Sequence, residues 1–314
     1  DESKNFATTN TQLTGGSESG SFSMGQFTDR QVYADALLNI NKTWEDWSVS
    51  AQLGASVTDN FYAGSNIGGP IASTKLANKF NVFMLDQALK TTGQTQSRHQ
   101  TQSVYAQAEL GYKGAYYLTV TGRNDWDSAL FGPLSTQHSF FYPSVGLSVV
   151  LSQALTLPQQ VEYLKVRGSF AQVGSPYQTL IANPVHSYNP STNSYNVNAD
   201  YPLGLKPEMT TSWELGLSAR LFGGFSLDFS WYYTNTRNQT FQIPLSAGSG
   251  YQSAYVQSGD ILNTGIELSL GYSHTWGKFT WDTNYTFSTN HNEVVQLAEN
   301  LVNPVTGETF RSEE

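Results

Sequence analysis

Along much of the chain apolar and polar residues alternate one for one, the period that sends successive side chains to opposite faces of a β-strand. Between Trp47 and Thr58, the residues Trp47, Val49, Ala51, Leu53, Ala55 and Val57 share one face. Ser48, Ser50, Gln52, Gly54, Ser56 and Thr58 share the other. The same pattern sets Phe225, Leu227, Phe229, Trp231 and Tyr233 against Ser226, Asp228, Ser230, Tyr232 and Thr234. A third case opposes Trp213, Leu215, Leu217, Ala219 and Leu221 to Ser212, Glu214, Gly216, Ser218 and Arg220. Applied throughout, the pattern predicts about ten strands. They fall near 31–44, 47–58, 102–113, 115–123, 139–152, 162–173, 211–222, 225–236, 260–275 and 278–289.

These strands are long. Twelve residues at ~3.3 Å each reach about 40 Å, and a tilt of ~40° reduces that to about 30 Å, the thickness of a bilayer core. The connections alternate between short and long. Short ones are expected at Glu45-Asp46, around Gly114, at Gly223-Gly224, at Gly277-Lys278 and, somewhat longer, near Thr156–Val161. Long ones are expected at 59–101, 124–138, 174–210, 237–259 and beyond 289. A soluble sandwich has no reason to keep its long loops at one end. An all-β, transmembrane, antiparallel up-and-down β-barrel does, with short periplasmic turns and long outer loops.

Aromatic residues sharpen this reading. Trp44, Trp47, Tyr112, Tyr116, Phe222, Phe225, Trp276 and Phe279 flank the short turns, as an inner aromatic girdle would. Phe140, Phe141, Trp231, Tyr233 and Phe287 lie toward the other strand ends. Aromatic and charged residues each make up 13% of the 314 residues, so the aromatic share equals the charged one. Mean hydropathy is on the polar side, which a barrel tolerates because only one face of each strand meets lipid. No run approaches the ~20 apolar residues of a membrane helix.

The formal net charge of −9 and the scattered cations argue against a nucleic-acid partner. The absence of cysteine excludes disulfide scaffolds and thiolate metal sites. Asp1–Gly20 holds no apolar leader, so a secretory signal is expected in the precursor. The face opposite the apolar one is small and polar, suited to a wide, wet lumen, and Arg311–Glu314 reads as a polar loop. Further strands are therefore expected to complete a larger barrel.

Five segments carry recognisable detail. Gly122–Ser128 reads GRNDWDS, preceded by YAQAELGYKGAYYLTVT. FFYPSVGLSVVLS follows from Phe140, then YLKVRGSFAQVGS (Tyr163–Ser175), LKPEMTTSWELGL (Leu205–Leu217) and GDILNTGIELSL (Gly259–Leu270). In GRNDWDS, Asn124, Asp125 and Asp127 are expected to begin a loop by bonding nearby backbone, with Trp126 anchoring it at headgroup level. The alternative is that Asp125, Trp126 and Asp127 meet a substrate or a lid. Pro207 should fix a turn, and Gly265 a bulge. Glu214 and Glu267, with Arg167 and Arg220, should face the lumen, lining it or contacting a plug.

In order and spacing, these segments resemble the SusC/RagA family of TonB-dependent outer-membrane transporters over residues 20 to 290. The resemblance implies a barrel of about 22 strands. It also implies an N-terminal plug, a TonB-box segment that engages the TonB complex, and a SusD-like surface lipoprotein that lids the barrel. Oligosaccharides or oligopeptides are the expected cargo, and outer-membrane lipid surrounds the wall. On this reading residues 1–314 are all barrel wall, with neither plug nor TonB box among them.

No enzyme signature emerges. His99, His138, His186, His274 and His291 lack zinc-motif spacing, and neither a GxSxG elbow nor a phosphate-binding loop occurs. Asp125-x-Asp127 is too short for a calcium loop. The sequence assigns no catalytic, cofactor-binding or metal-binding residue, and expects no cofactor. Asn41, Asn238 and Asn284 begin N-x-[ST] triplets without consequence in a bacterial chain. Recognition is expected in the long loops. The 59–101 loop is rich in Gly, Asn, Thr and Gln, and 174–210 carries Tyr177, Tyr188, Tyr195 and Tyr201. Individual substrate contacts stay unassigned. Two other readings remain open, a passive porin-type barrel and a soluble surface-binding β-domain.

Overall fold

A computed structural model describes residues 2–7, 19–73, 75–76, 79–184, 187–189, 193–196, 199–200, 204–245, 251–257, 259–296, 301–302 and 309–310. The strands are β1 (Glu2–Ala7), β2 (Ser21–Trp44), β3 (Trp47–Pro70), β4 (Thr91–Tyr112), β5 (Tyr116–Asp127), β6 (Ser139–Val150) and β7 (Val161–Ser175). Then come β8 (Ser187–Asn189), β9 (Ser194–Asn196), β10 (Ala199–Asp200), β11 (Glu208–Leu221), β12 (Phe225–Arg237), β13 (Thr240–Pro244) and β14 (Ser253–Gln257). The last are β15 (Asp260–Trp276), β16 (Phe279–Gln296), β17 (Leu301–Val302) and β18 (Thr309–Phe310). Eleven of them form one sheet in the hydrogen-bonded order β1-β2-β3-β4-β5-β6-β7-β11-β12-β15-β16. From β4 to β16 each junction is antiparallel. This is the up-and-down order expected from the alternation. No helix of the described residues is long and apolar enough to cross a membrane.

The short turns fall where expected, and their backbones explain their residues. Lys113 and Gly114 take φ of 54° and 63°, and Phe222 and Gly223 take 55° and 68°. Left-handed pairs of this kind match the twist of antiparallel strands. Glycine adopts the conformation freely, whereas Lys113 and Phe222 bear its cost.

The chain divides into two compact units, Asp1–Ala34 with Val57–Gln100, and Asp35–Ser56 with Thr101–Glu314. The first corrects an expectation. The supposed 59–101 loop is mostly strand: β3 runs on to Pro70 and β4 starts at Thr91. Alternation fails here because Asn60, Gly64, Asn66 and Gly68 on one face and Asp59, Ser65 and Gly69 on the other are polar or small, so neither face is consistently apolar. The backbone pairs regardless, since pairing needs no lipid-facing side. Arg98 donates from Nε to Asp59 Oδ2 at 3.0 Å, Gln100 Nε2 donates to the same oxygen at 3.0 Å, and the Arg30 guanidinium lies 5.3 Å from the Phe61 ring centre. Arg98's hydrogen bonds hold the Asp59 carboxyl below its ordinary range.

In the second unit the two faces differ as the alternation requires. The outward positions from Tyr112 to Gln102, Tyr116 to Trp126, Val149 to Ser139, Leu164 to Gly174, Leu221 to Thr211, Phe225 to Asn235, Trp276 to Leu262 and Phe279 to Thr289 contain no Asp, Glu, Lys or Arg, and the first charges on that face, Arg237 and Asp260, pair with one another at the far strand ends. They are also bare: Trp213 is 51% exposed, Leu215 58% and Leu147 54%. A sandwich would bury these side chains under a second sheet; a membrane wall presents them to acyl chains. The soluble reading leaves them unexplained.

Several boundaries move. Asn124–Asp127 belong to β5 and do not begin a loop. Residues 151–152 form a helical turn, Leu151–Ala154, in place of the end of a strand. β16 continues to Gln296, past the expected end at 289. The 174–210 and 237–259 connections contain short strands, with β10, β14 and β13 forming a small sheet. Gly265 is no bulge, since the β12–β15 register runs through it unbroken. It is instead a site of close approach: a Cβ there would lie 2.5 Å from the Tyr232 hydroxyl. His186, Tyr201 and Arg311–Glu314 lie outside the described residues.

Candidate functional site: the inward face and its loop cap

The registers place Arg167, Glu214, Arg220 and Glu267 on one face, together with Asp228, Ser230 and Ser218. Arg167 is the hub. Its Nη2 donates to Ser230 Oγ at 2.9 Å and its Nη1 to Ser218 Oγ at 3.3 Å. Glu214 and Asp228 stand 3.4 and 3.5 Å from it. Ser218 also donates to Asp228 at 2.6 Å. The guanidinium fits because Gly216 lies opposite: a Cβ there would stand 2.4 Å from Arg167 Cζ. Arg220 lies apart from this group, its guanidinium 5.8 Å from the Tyr163 ring centre. Glu267 borders a hollow of ≈ 270 Å³ that adjoins this group, lined by its Asp228 and Ser230 and on the other side by Ser269 and Ser288.

A second network sits on the inward face of β4, β5 and β6. Arg123 Nε donates to Asp125 Oδ1 and its Nη2 to Ser103 Oγ, both at 2.8 Å. Tyr142 donates its hydroxyl proton to Asp125 Oδ2 at 2.8 Å, and the Arg123 guanidinium lies 5.6 Å from the Tyr105 ring centre. Asp125 is buried and bonded through both oxygens. Asp127, also buried, accepts from Ala129 N at 2.9 Å and from Thr101 Oγ1 at 2.6 Å, closing the turn Ser128–Leu130. Both carboxylates of the GRNDWDS segment therefore hold local structure. Trp126 points outward, beside Phe141, Val104 and Leu53 along an apolar groove.

Beyond the strand ends, Leu130, Phe140, Tyr177, Ile181, Ala182 and Leu205 form a buried cluster, with Leu134, Tyr142 and Tyr255 against it. Backbone bonds tie its segments together: Leu134 N donates to Ala182 O at 3.2 Å, and Leu205 N to Leu134 O at 2.9 Å. Tyr177, expected as a recognition residue, is packed inside this cap. Tyr188 and Tyr195 are backbone register partners in the β8–β9 pair. The sequence reading missed Ser103, Tyr105, Tyr142, Ser218, Asp228 and Ser230. One signal could have found the Tyr105–Arg123 pair, since the two residues are equidistant from Gly114 at the turn. Among the described residues no group of three or more His, Cys, Asp or Glu is placed to hold a metal ion.

A wide antiparallel sheet, bare and uncharged over the central band of its outer face, polar and ion-paired on the inner one and capped by folded loops, is the wall of an outer-membrane β-barrel. The family described as TonB dependent receptor-like, beta-barrel, matches residues 2–310, and the chain belongs to it. That family places the protein in the bacterial outer membrane among receptors and transporters. The chain is 27% identical over 274 residues to TonB-dependent receptor P39 of Formosa agariphila, covering 83% of this chain and 26% of that protein. It is 31% identical over 100 residues to TonB-dependent receptor SusC of Bacteroides thetaiotaomicron, covering 30% of this chain and 10% of that one. Among solved structures, that of the RagAB peptide transporter superposes with a TM-score of 0.77 at 18% identity, covering 94% of this chain and 33% of its counterpart. The SusC/RagA resemblance of the five segments is thus matched by relatives and by fold. The chain spans about a quarter of the length of the first curated relatives it matches.

Proposed function

We propose that residues 1–314 form part of the wall of an active transporter that imports an oligomeric nutrient, a glycan or an oligopeptide. It works with a SusD-like surface lipoprotein and is energised through TonB. A plug and a TonB box, carried by the full-length protein outside these residues, complete the machine. The observation that carries this reading is the family match along nearly the whole chain. The inward face supports it: hydroxyls and self-paired charges such as Arg167 with Glu214 and Asp228 offer a polar surface suited to a plug or a hydrated cargo. The SusC relative and the RagAB fold support a partnered importer over a passive pore.

The test is uptake in the native host. Deleting the gene should abolish growth on one oligomeric nutrient, and deleting TonB should do the same with the gene intact. Uptake that survives loss of TonB but not of the gene would convert the reading to a porin. Uptake unaffected by either deletion would defeat both.

A further inference from the structure

The register fixes the outward face of β4, β5 and β6 row by row. Gln102, Trp126 and Ser139 stand abreast, then Val104, Asn124 and Phe141, then Ala106, Gly122 and Pro143. The middle row sets a carboxamide between two apolar side chains, with Gly122 and Trp126 on either side of it along β5. Parity places Asn124 on the lipid side, yet among the described residues nothing bonds its carboxamide. Val104, Gly122 and Phe141 have no polar side-chain atom to offer, and Trp126 has only an indole N–H, a donor.

Asn124 borders an apolar groove of ≈ 760 Å³. The groove is deep where Ala55, Ala106 and Gly122 are small, and it is walled by Leu53, Trp126 and Phe141. Phe141 leans over the glycine, where a Cβ would stand 3.0 Å from Phe141 Cζ. Leu53, Trp126 and Phe141 are all exposed. The groove is therefore open along the face that meets acyl chains.

Its depth in the bilayer follows from the strand. β5 begins at Tyr116, beside the short inner turn, and Asn124 comes eight residues later. That is ~26 Å along the strand, or about 20 Å of height at a tilt of ~40°. The apolar band of such a barrel is ~25 Å tall. The carboxamide thus sits just inside the outer edge of the band, and Trp126 sits at the edge. Acyl chains at this level join their headgroups through carbonyl linkages. A polar group without a partner is unfavourable there, and a linking carbonyl supplies the acceptor that Asn124 Nδ2 lacks. The apolar walls alone select nothing, because lipid tails are as apolar as leucine and gain no hydrophobic preference for the groove. Selection falls to the one carboxamide.

We infer that the groove binds one acyl chain of an outer-leaflet lipid, with Asn124 Nδ2 donating to the carbonyl that links the chain to its headgroup. The upper part of the chain lies over Ala106 and Gly122, and the headgroup lies beside Trp126. The inference rests on the outer-membrane fold and is independent of the import reading.

The test uses the full-length protein in neutral detergent and two phosphatidylethanolamines with identical chains, brominated near the head end. One is ester-linked and the other, ether-linked, lacks the carbonyl. Bromine quenches tryptophan on contact, and the part of the signal lost in Trp126→Phe reports the groove. The ester should quench that part at a concentration about fivefold lower than the ether, the factor given by ~1 kcal/mol for one hydrogen bond. Asn124→Val should erase the difference between the two lipids. Ala106→Phe, which fills the groove, should weaken quenching by both at least fivefold. Equal quenching of the wild type by ester and ether would overturn the assignment, and so would an ester preference that survives Asn124→Val. A change of oligomeric state in Asn124→Val without any discrimination between the lipids would assign the groove to a protein neighbour and overturn it as well.

Discussion

Replacing Gly216 with alanine tests whether inward glycines are slots for the side chains opposite them. The alanine Cβ would stand 2.4 Å from Arg167 Cζ, so the guanidinium must leave. It would give up the 2.9 Å bond to Ser230 and the 3.3 Å bond to Ser218, and draw away from Glu214 and Asp228. Hydrogen bonds to charged groups contribute ~1.5–3 kcal/mol each when buried. Here Arg167 is 32% exposed, Glu214 46% and Asp228 51%, so solvent screening reduces the set to about 2 kcal/mol in all. Alanine returns ~0.5–1 kcal/mol because glycine is the poorer strand residue. The expected net loss is about 1 kcal/mol. Urea unfolding of the full-length protein in lipid micelles, followed by tryptophan fluorescence, would measure it. A double-mutant cycle with Arg167→Ala isolates the cause, because alanine removes every Arg167 atom, Cγ included, that a Cβ at Gly216 would meet. In the Arg167→Ala background the penalty should vanish, and Gly216→Ala should become neutral or slightly stabilising. An equal penalty in both backgrounds would refute the slot.

Other expectations follow from the same geometry. Asp127→Ala removes the acceptor for Ala129 N and Thr101 Oγ1 and should cost about 2 kcal/mol; limited proteolysis should then cut within 128–138, and unchanged cleavage would count against the cap. Leu215→Arg places a charge on the lipid face and should cost ~2–4 kcal/mol, read as lost outer-membrane assembly, while Ser169→Lys on the inward face should assemble normally. The Asp59–Arg98 pair should show a defined acid response. Because Asp59 is held below its ordinary value in the folded state, its contribution is full above the unfolded carboxylate range of ~4 and fades as pH falls through the folded value. Amide-exchange protection near Asp59 and Arg98 should drop in that window in wild type, and Asp59→Asn should abolish the dependence.

How much of this was written in the alternation depends on where lipid imposes it. Between Trp47 and Thr58 one face must be apolar, so strand, face and girdle could all be read directly. Past Asp59 neither side need be apolar; β3 and β4 continue through Asn, Gly, Ser and Gln, and composition reads as loop what pairing makes strand. Gly216 and Gly265 fail for a related reason. In sequence each is a break in a strand, and only the register shows Arg167 or Tyr232 filling the space. Arg167, Glu214 and Glu267 were placed on the right face because parity alone settles faces. Which of them touch depends on strand order, and Glu267 turned out to border a hollow on the far side of Asp228 and Ser230 from Arg167. Asp125 and Asp127 were recognised as local hydrogen-bonders, but at the end of a strand, not the start of a loop.

The loop cap has a consequence for how such a surface can diversify. Leu130, Phe140, Tyr177, Ile181, Ala182 and Leu205 come from segments far apart in the chain, yet they share one interior. Exchanging a single outer loop with a relative would leave half of that interior facing water, with Leu134 and Ala182 stripped of their backbone partners. Viable chimaeras should therefore carry 128–138, 176–184 and 204–207 together, so that the outer surface is inherited as a module assembled from distant stretches of sequence.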